Sequence, residues 1–371
     1  MAYVRESDAP RLSAPAGSIG TYAWAKHRLF PTPFSALGTI IIAALFVTVG
    51  WNLLDWGAIR AVWSAPDREL CAAQGAGACW PFVFAKFQQW IYGLYPFDQR
   101  WRINILYVLC VLSVAGLVIP SIPGKRWTAL FFFVIFPVFS FFMLLGGYFG
   151  LAPVETDYWG GLTLTLVIAI TGNVASLPFG ILLALGRQSQ MPVVRTLSVV
   201  FIEAVRGVPF ITVLFMASVM FPLFMPPGVN PDKLLKAVIG TSIFASAYMA
   251  EVIRGGLQAI PKGQIEAAQA LGLSYWKMMR LIVMPQALKI VIPGIVNSFI
   301  SLFQDTSLVS IIGLFDLLGI VQAGFNDPKW KSPQTGNTGY ISLAAIYFIF
   351  CFSMSRYSQS IERRTNRGLK K

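Results

Sequence analysis

The sequence predicts an all-α integral membrane protein with about eight transmembrane helices. Of its 371 residues, 56% are hydrophobic and 12% are charged, whereas about a quarter of the residues in soluble domains are charged. The apolar residues also form uninterrupted blocks of roughly 20 residues, enough to cross the hydrocarbon core of a bilayer. Barrel strands would be shorter and would alternate polar with apolar residues, so we expect these blocks to be helices.

Eight apolar blocks follow one another along the chain. They lie near residues 34–56, 103–120, 128–150, 159–186, 197–225, 234–253, 288–308 and 340–354. The predicted organisation is a tail at 1–33, three helices within 34–157 with a loop at about 57–101, a membrane core at 158–358 with a loop at about 254–287, and a basic tail at 359–371.

The positive charges predict the orientation, because Lys and Arg remain in cytoplasmic connections. They occur in the two tails and in alternate connections, at Arg5, Arg11, Lys26, Arg28, Lys125, Arg126, Arg187, Arg195, 254–289, Arg363, Arg364, Arg367, Lys370 and Lys371. The other connections hold Asp67, Glu69, Asp98, Glu155, Asp157, Asp232, Asp316 and Asp327. We therefore expect both termini in the cytoplasm. The net charge of +13 reflects this topology and a membrane-lipid environment, and we expect no nucleic-acid partner.

The four cysteines suggest one structural bond. Cys71 and Cys79 lie in the outward loop, separated by small residues, and a disulfide is expected on the oxidising side of a bacterial inner membrane. Two unpaired thiols are the alternative. We expect no metal site, because the only histidine, His27, lies on the other side of the membrane.

Sequence signatures of an enzyme are largely absent. The Gly124-Lys125 pair is followed by Arg126 and lacks the glycine spacing of a phosphate-binding loop. We therefore expect no catalytic residue and no cofactor on this chain. If transport is driven by ATP, the ATPase is a separate subunit.

The inward connection at 251–285 predicts a helical hairpin. An alanine-rich helix is expected at 264–271, and Gly272 is placed to end it in the left-handed conformation. Ser274 can cap a second, amphipathic helix, which Pro285 should close before the next membrane span. The alternative is an amphipathic linker that only rests at the membrane interface.

The same connection carries a recognisable motif. Glu266-Ala267-Ala268 is followed by Gly272 and then by Pro285, and this spacing resembles the EAA signature of bacterial ABC-importer permeases. The resemblance extends over 159–356 and implies a MetI-like five-helix core. It also implies that the connection is a coupling helix, which docks on an ATP-hydrolysing subunit.

Shorter segments resemble the polar amino-acid branch of this family. They are Gly161-Leu162-Thr163-Leu164-Thr165-Leu166, Glu203-Ala204-Val205-Arg206-Gly207-Val208-Pro209, Arg254-Gly255-Gly256 and Asp305-Thr306-Ser307-Leu308. The three additional helices resemble the shorter of the two paired permeases of general L-amino-acid transporters. The resemblance implies a cytoplasmic ABC ATPase that binds ATP and Mg, a second permease that is a paralogue, and a periplasmic amino-acid-binding protein.

Polar residues within the predicted spans are candidate functional groups, because ionisable groups are costly at membrane depth. Glu203 and Arg206 lie on one helical face and can neutralise each other, which suggests a gating or structural role. Candidates for the substrate path are Asn297, Gln304, Asp305, Thr306 and Ser307, with Thr171 and Asn173 as further candidates. An aspartate could receive the ammonium of an amino acid, and amides or hydroxyls its carboxylate. The alternative is a helix end satisfied by water and neighbours.

We therefore expect a permease subunit that moves L-amino acids by alternating access. The same architecture could carry another small polar solute. A secondary transporter would show inverted repeats with broken helices, and the sequence has no convincing internal repeat. A membrane enzyme would need His, Cys or carboxylate residues clustered near a membrane surface.

Overall fold

The computed structural model describes residues 20–119, 121–148, 150–226, 228 and 231–369, with backbone alone for 22 and 364–369. The helices are α1 (Thr21–Leu29), α2 (Pro33–Leu54), α3 (Glu69–Ala72), α4 (Trp80–Tyr92), α5 (Arg100–Val118), α6 (Lys125–Leu130), α7 (Phe136–Leu145), α8 (Gly161–Arg187), α9 (Pro192–Arg206), α10 (Phe210–Phe215), α11 (Lys233–Gln258), α12 (Lys262–Ala270), α13 (Tyr275–Met278), α14 (Met284–Asp305), α15 (Leu317–Gly324) and α16 (Pro333–Leu369). Arg5, Arg11, Lys370 and Lys371 of the predicted tails lie outside the described residues.

Helices that can span a membrane dominate the fold. Seven helical stretches among the described residues are long and apolar enough, and the number is up to eight if one bent pair counts as a single span. This confirms the predicted all-α membrane fold with about eight transmembrane helices. Both predicted tails contain helix, since α1 precedes the first span and α16 continues to Leu369.

The fifth predicted span is not a single helix. The stretches Pro192–Arg206 and Phe210–Phe224 meet at an angle of 106°. Pro209 precedes α10 and cannot donate a backbone hydrogen bond, and a proline also disfavours helical geometry in the residue before it. The prediction of one continuous span over 197–225 is therefore wrong, because a proline interrupts an otherwise apolar block.

Wide π-helical turns occur inside several spans. Three of them, Phe131–Ile135, Met216–Met220 and Met279–Val283, end two residues before a proline. A proline ring clashes with the carbonyl four residues earlier, and in each case that carbonyl lies in the middle of the wide turn. The wider turn thus lets the helix continue through the proline.

Helices α8 and α11 form the centre of the C-terminal part and run parallel. A Cβ atom on Gly172 would lie 2.9 Å from Thr241, and one on Gly180 would lie 2.7 Å from Met249. Real side chains do not tolerate such short contacts, so glycine allows these two backbones to approach closely. Both helices therefore begin at the same end of the molecule and finish near α12.

The loop between α2 and α5 is folded against the far end of the core. Cys71 and Cys79 are joined in a disulfide and pack with residues of α4, α15 and α16 in one buried apolar cluster. The backbone N–H of Cys79 donates to Thr338 Oγ1 at 2.9 Å. In contrast, α2 has no buried residue.

Candidate coupling loop and charge cluster

The predicted coupling hairpin consists of α12, the bend at 271–274 and α13, and α12 ends sharply. Gly272 follows α12 with a φ of 69°, which confirms the left-handed conformation predicted for it. Its N–H donates to Gln269 O at 2.9 Å, and the N–H of Leu273 donates to Ala268 O at 3.2 Å. These two bonds form a Schellman motif, which satisfies the terminal carbonyls and turns the chain.

The EAA residues divide between an inner and an outer face of α12. Ala268 is 1% exposed and packs on α11, α13 and α14, whereas Glu266 and Ala267 are exposed. Leu271 and Trp276, at the bend, are exposed to 78% and 70%. The hairpin thus presents a carboxylate, a small side chain and two large apolar side chains on one protruding segment.

Two details of the predicted hairpin are wrong. Ser274 occupies the N-cap position of α13, but its side chain makes no capping hydrogen bond. Pro285 does not close the second helix, because one helical stretch runs continuously from Tyr275 to Ile312. The π-helical turn at Met279–Val283 accommodates Pro285, so the second helix of the hairpin and the seventh span form one continuous helical stretch.

Five charged side chains join the ends of three core helices; we call this group the charge cluster. It consists of Arg187 on α8, Glu203 and Arg206 on α9, and Glu251 and Arg254 on α11. Glu251 is central, since Arg187 and Arg206 lie at 3.5 and 3.6 Å and Arg254 pairs with it directly. The cluster lies at the end of α11 that leads into α12.

The cluster corrects the predicted pairing of Glu203 with Arg206. Glu203 Oε1 instead accepts from Arg187 at 2.8 Å, and Arg206 approaches Glu251. Spacing within α9 allowed both residues to share a face but could not indicate that neighbouring helices supply nearer partners. Glu251 was missed as a functional candidate, although its position three residues before Arg254 was a sequence signal for an ion pair.

The predicted substrate-path residues do not converge on one cavity. Gln304 Nε2 lies 3.5 Å from Cys351 Sγ on α16, whereas Thr306 is fully buried and donates to Phe303 O. Asn297 is exposed, and Asp305 and Ser307 are half-buried. None of these five residues lines a large cavity of about 700 Å³ between α5, α7, α8 and α11.

The two further candidates occupy different surroundings. Thr171 lines the large cavity and donates to Val167 O within its own helix, whereas Asn173 is buried in α8. The described residues contain no group of three His, Cys, Asp or Glu side chains placed to hold a metal ion.

Comparisons with known proteins agree with these features. Residues 176–367 match the family model described as binding-protein-dependent transport system inner membrane component. The chain is 51% identical to the inner membrane amino-acid ABC transporter permease protein YhdY of Escherichia coli, over 97% of both chains. It is 40% identical to the glutamate/glutamine/aspartate/asparagine transport system permease protein BztC of Rhodobacter capsulatus, over 97% of this chain and 96% of the relative.

One solved structure covers the C-terminal part. An amino acid ABC transporter with histidines has 31% sequence identity and a TM-score of 0.49, covering 55% of this chain and 92% of the other. The family model covers the C-terminal half, and the two relatives cover nearly the whole length. The chain therefore belongs to the binding-protein-dependent transport system inner membrane components and is a multi-pass inner-membrane permease of the amino-acid ABC transporter group.

Proposed function

We propose that this chain is the transmembrane subunit of an ATP-driven importer that moves L-amino acids by alternating access. The protruding hairpin of α12 and α13 is the observation on which the proposal depends. Its exposed Glu266 and Ala267, beside Leu271 and Trp276, form a surface suited to a cleft on another protein. The names of the two relatives support an amino acid as the substrate.

The partners follow from this role. A cytoplasmic ABC ATPase binds the hairpin and carries ATP and Mg, a second permease completes the path, and a periplasmic binding protein delivers the amino acid. When ATP closes the ATPase pair, the hairpins are drawn together and the permeases rock from inward-open to outward-open. The chain itself breaks no bond and acts as a transport subunit.

The charge cluster offers a physical route for this motion. Movement of α12 pulls directly on α11, and Glu251 links α11 to Arg187 of α8 and to Arg206 of α9. Three core helices are therefore tied together beside the hairpin. A displacement of one helix end is shared by the other two because each ion pair resists separation.

The test changes the bend of the hairpin without changing the membrane core. Gly272→Val adds a side chain to a residue whose Cβ would meet nothing within 4 Å, but at a φ of 69°. The cost is backbone strain of about 1–2 kcal/mol. We expect normal insertion, loss of radiolabelled amino-acid uptake, and loss of the ATPase from pull-downs.

Gly263→Val is the matched control. It adds the same side chain to the same hairpin, in open space and without a positive φ, and uptake should continue. Normal uptake by Gly272→Val would refute the coupling role. A solute other than an amino acid that alone drives ATP hydrolysis in the assembled complex would instead refute the proposed substrate.

A further inference from the structure

A large cavity lies between the second and third spans and the core; we call it the lateral cavity. Its walls come from α5 and α7 on one side and from α8 and α11 on the other, and its volume is about 700 Å³. Small-molecule sites commonly have about 300–1,000 Å³. None of the coupling-hairpin or charge-cluster residues lines it.

The depth of the lateral cavity matches one leaflet of a bilayer. Along α8 its lining extends from Thr163 to Thr171, a rise of about 12 Å at 1.5 Å per residue. Half of a hydrocarbon core about 30 Å thick is about 15 Å. We call the end of the cavity at Glu155, Asp157 and Asp232 its mouth. Because α8 and α11 both begin there, this leaflet is the one opposite the coupling hairpin.

The walls of the lateral cavity suit a hydrocarbon chain. Leu106, Leu144 and Leu166 represent its mainly apolar lining. The hydroxyls of Tyr107 and Thr163 lie 2.8 Å apart and satisfy each other. A charged amino acid would find no ionic partner among these deep residues, so the lateral cavity is poorly suited to the transported substrate.

One wall hydroxyl has no partner. Ser140 is 8% exposed, and its Oγ makes no hydrogen bond among the described residues. Ser140 lies on α7, five residues before the end of the helix at the mouth side. The oxygen itself is buried, so a bond to the ester carbonyl of a phospholipid requires the Ser140 side chain to turn toward the cavity that it lines.

Carboxylates line the mouth of the lateral cavity. Glu155, Asp157 and Asp232 line it, and Lys233 and Lys236 follow on α11, Lys236 being buried at 7% exposure. Asp232 already accepts from Leu234 N at 2.8 Å, and Asp157 lies 3.9 Å from Lys233. Glu155 is exposed and has no ion pair among the described residues.

We propose that the lateral cavity binds one acyl chain of an amine-bearing phospholipid of the phosphatidylethanolamine class. The acyl chain occupies the apolar wall, the Ser140 side chain turns toward it and donates to an ester carbonyl, and the headgroup ammonium lies at Glu155. An anionic phospholipid is disfavoured because its net charge has the same sign as the carboxylates that line the mouth. The lipid would occupy the space between α5 and α7 on one side and α8 and α11 on the other.

Photo-crosslinking tests the proposal directly. The full-length chain is placed in phosphatidylcholine nanodiscs that contain either phosphatidylethanolamine or phosphatidylglycerol, each with the same diazirine-labelled acyl chain. Labelled peptides are then mapped by mass spectrometry. We expect labelling of α7 and α8 lining residues, with phosphatidylethanolamine favoured about fivefold, the effect of roughly one charge near a membrane surface.

Two variants separate the acyl and headgroup contacts. Leu166→Trp narrows the cavity with a bulky ring and should reduce this labelling, whereas Leu182→Trp on the outer surface of the same helix, where Leu182 is 62% exposed, should not. Glu155→Gln should remove the preference between the lipids, and Glu69→Gln in the remote loop should preserve it.

Several outcomes would overturn the proposal. They are equal labelling by both lipids in the unmodified chain, unchanged labelling in Leu166→Trp, and native mass spectra in which detergent or a second copy of the chain is retained instead of phospholipid.

Discussion

Asp316 places a carboxylate inside the protein at the start of α15. The residue is 0% exposed, and its Oδ1 and Oδ2 accept from the N–H groups of Gly319 at 2.9 Å and Leu318 at 3.2 Å. Burial raises the pKa of this carboxyl to about 6, against the lowering effect of both N–H donors. Removal from water therefore outweighs the helix cap.

This pKa predicts a specific pH dependence of stability. Between about pH 4 and 6 the folded chain holds a proton on Asp316 that the unfolded chain has lost, so stability falls as the pH rises through this range. The loss is on the order of 1–3 kcal/mol. Thermal unfolding in detergent should show it in the unmodified chain and not in Asp316→Asn.

Asp98→Asn, a change at an exposed carboxylate, is the control and should retain the dependence. If Asp316→Asn kept the full pH dependence, another group would be responsible.

At the scale of single helices, the sequence predicted that a helix exists better than it predicted where the helix is interrupted. Apolar length was sufficient to locate each span, because a bilayer imposes a minimum helix length. The bounds were too short for the last two, since 288–308 lies inside the stretch Tyr275–Ile312 and 340–354 lies inside Pro333–Arg363. The sequence predicts a helix end at Pro285 and no interruption at Pro209. In the structure, a wide turn lets the helix continue through Pro285, whereas the chain bends by 106° at Pro209. The difference depends on packing against neighbouring helices, which the sequence does not reveal.

The sequence could not predict the charge cluster either, because most of its ion pairs join residues on different helices. Glu203 is 54% exposed and has one partner, whereas Glu251 is 23% exposed and has three. Removing Glu251 leaves three guanidinium groups with a single carboxylate.

We therefore predict unequal effects from two identical substitutions. Glu251→Gln should destabilise the core by about 1–3 kcal/mol, because like charges are left close together in a partly buried site. Glu203→Gln should cost under about 1 kcal/mol, as for an exposed pair. Thermal unfolding of both variants measures the difference, and equal shifts would show that Glu251 is not the centre of the cluster.

For the whole molecule, the positive charges predict the orientation. Arg187, Arg254 and the hairpin lie at one end of the parallel helices α8 and α11, and Asp157 and Asp232 lie at the other. By the positive-inside rule we predict that the hairpin end lies in the cytoplasm.

Accessibility labelling checks this orientation. A membrane-impermeant thiol reagent applied to intact spheroplasts should modify Asp157→Cys and Asp327→Cys but not Lys125→Cys or Gly263→Cys. Permeabilised cells provide the control, since all four positions should then react. Labelling of Gly263→Cys from outside would reverse the topology and remove the ATPase-docking role of the hairpin.

The contact between Cys79 and Thr338 has a consequence for biosynthesis. The two residues are 259 positions apart, so the outward loop leaves the ribosome long before its docking partner exists. At about 5–20 residues per second, this delay is roughly 10–50 seconds. If the loop is exported as predicted, it spends that interval on the outer side without the surface of α15 and α16. A helix near the end of the chain thus completes a loop near its beginning.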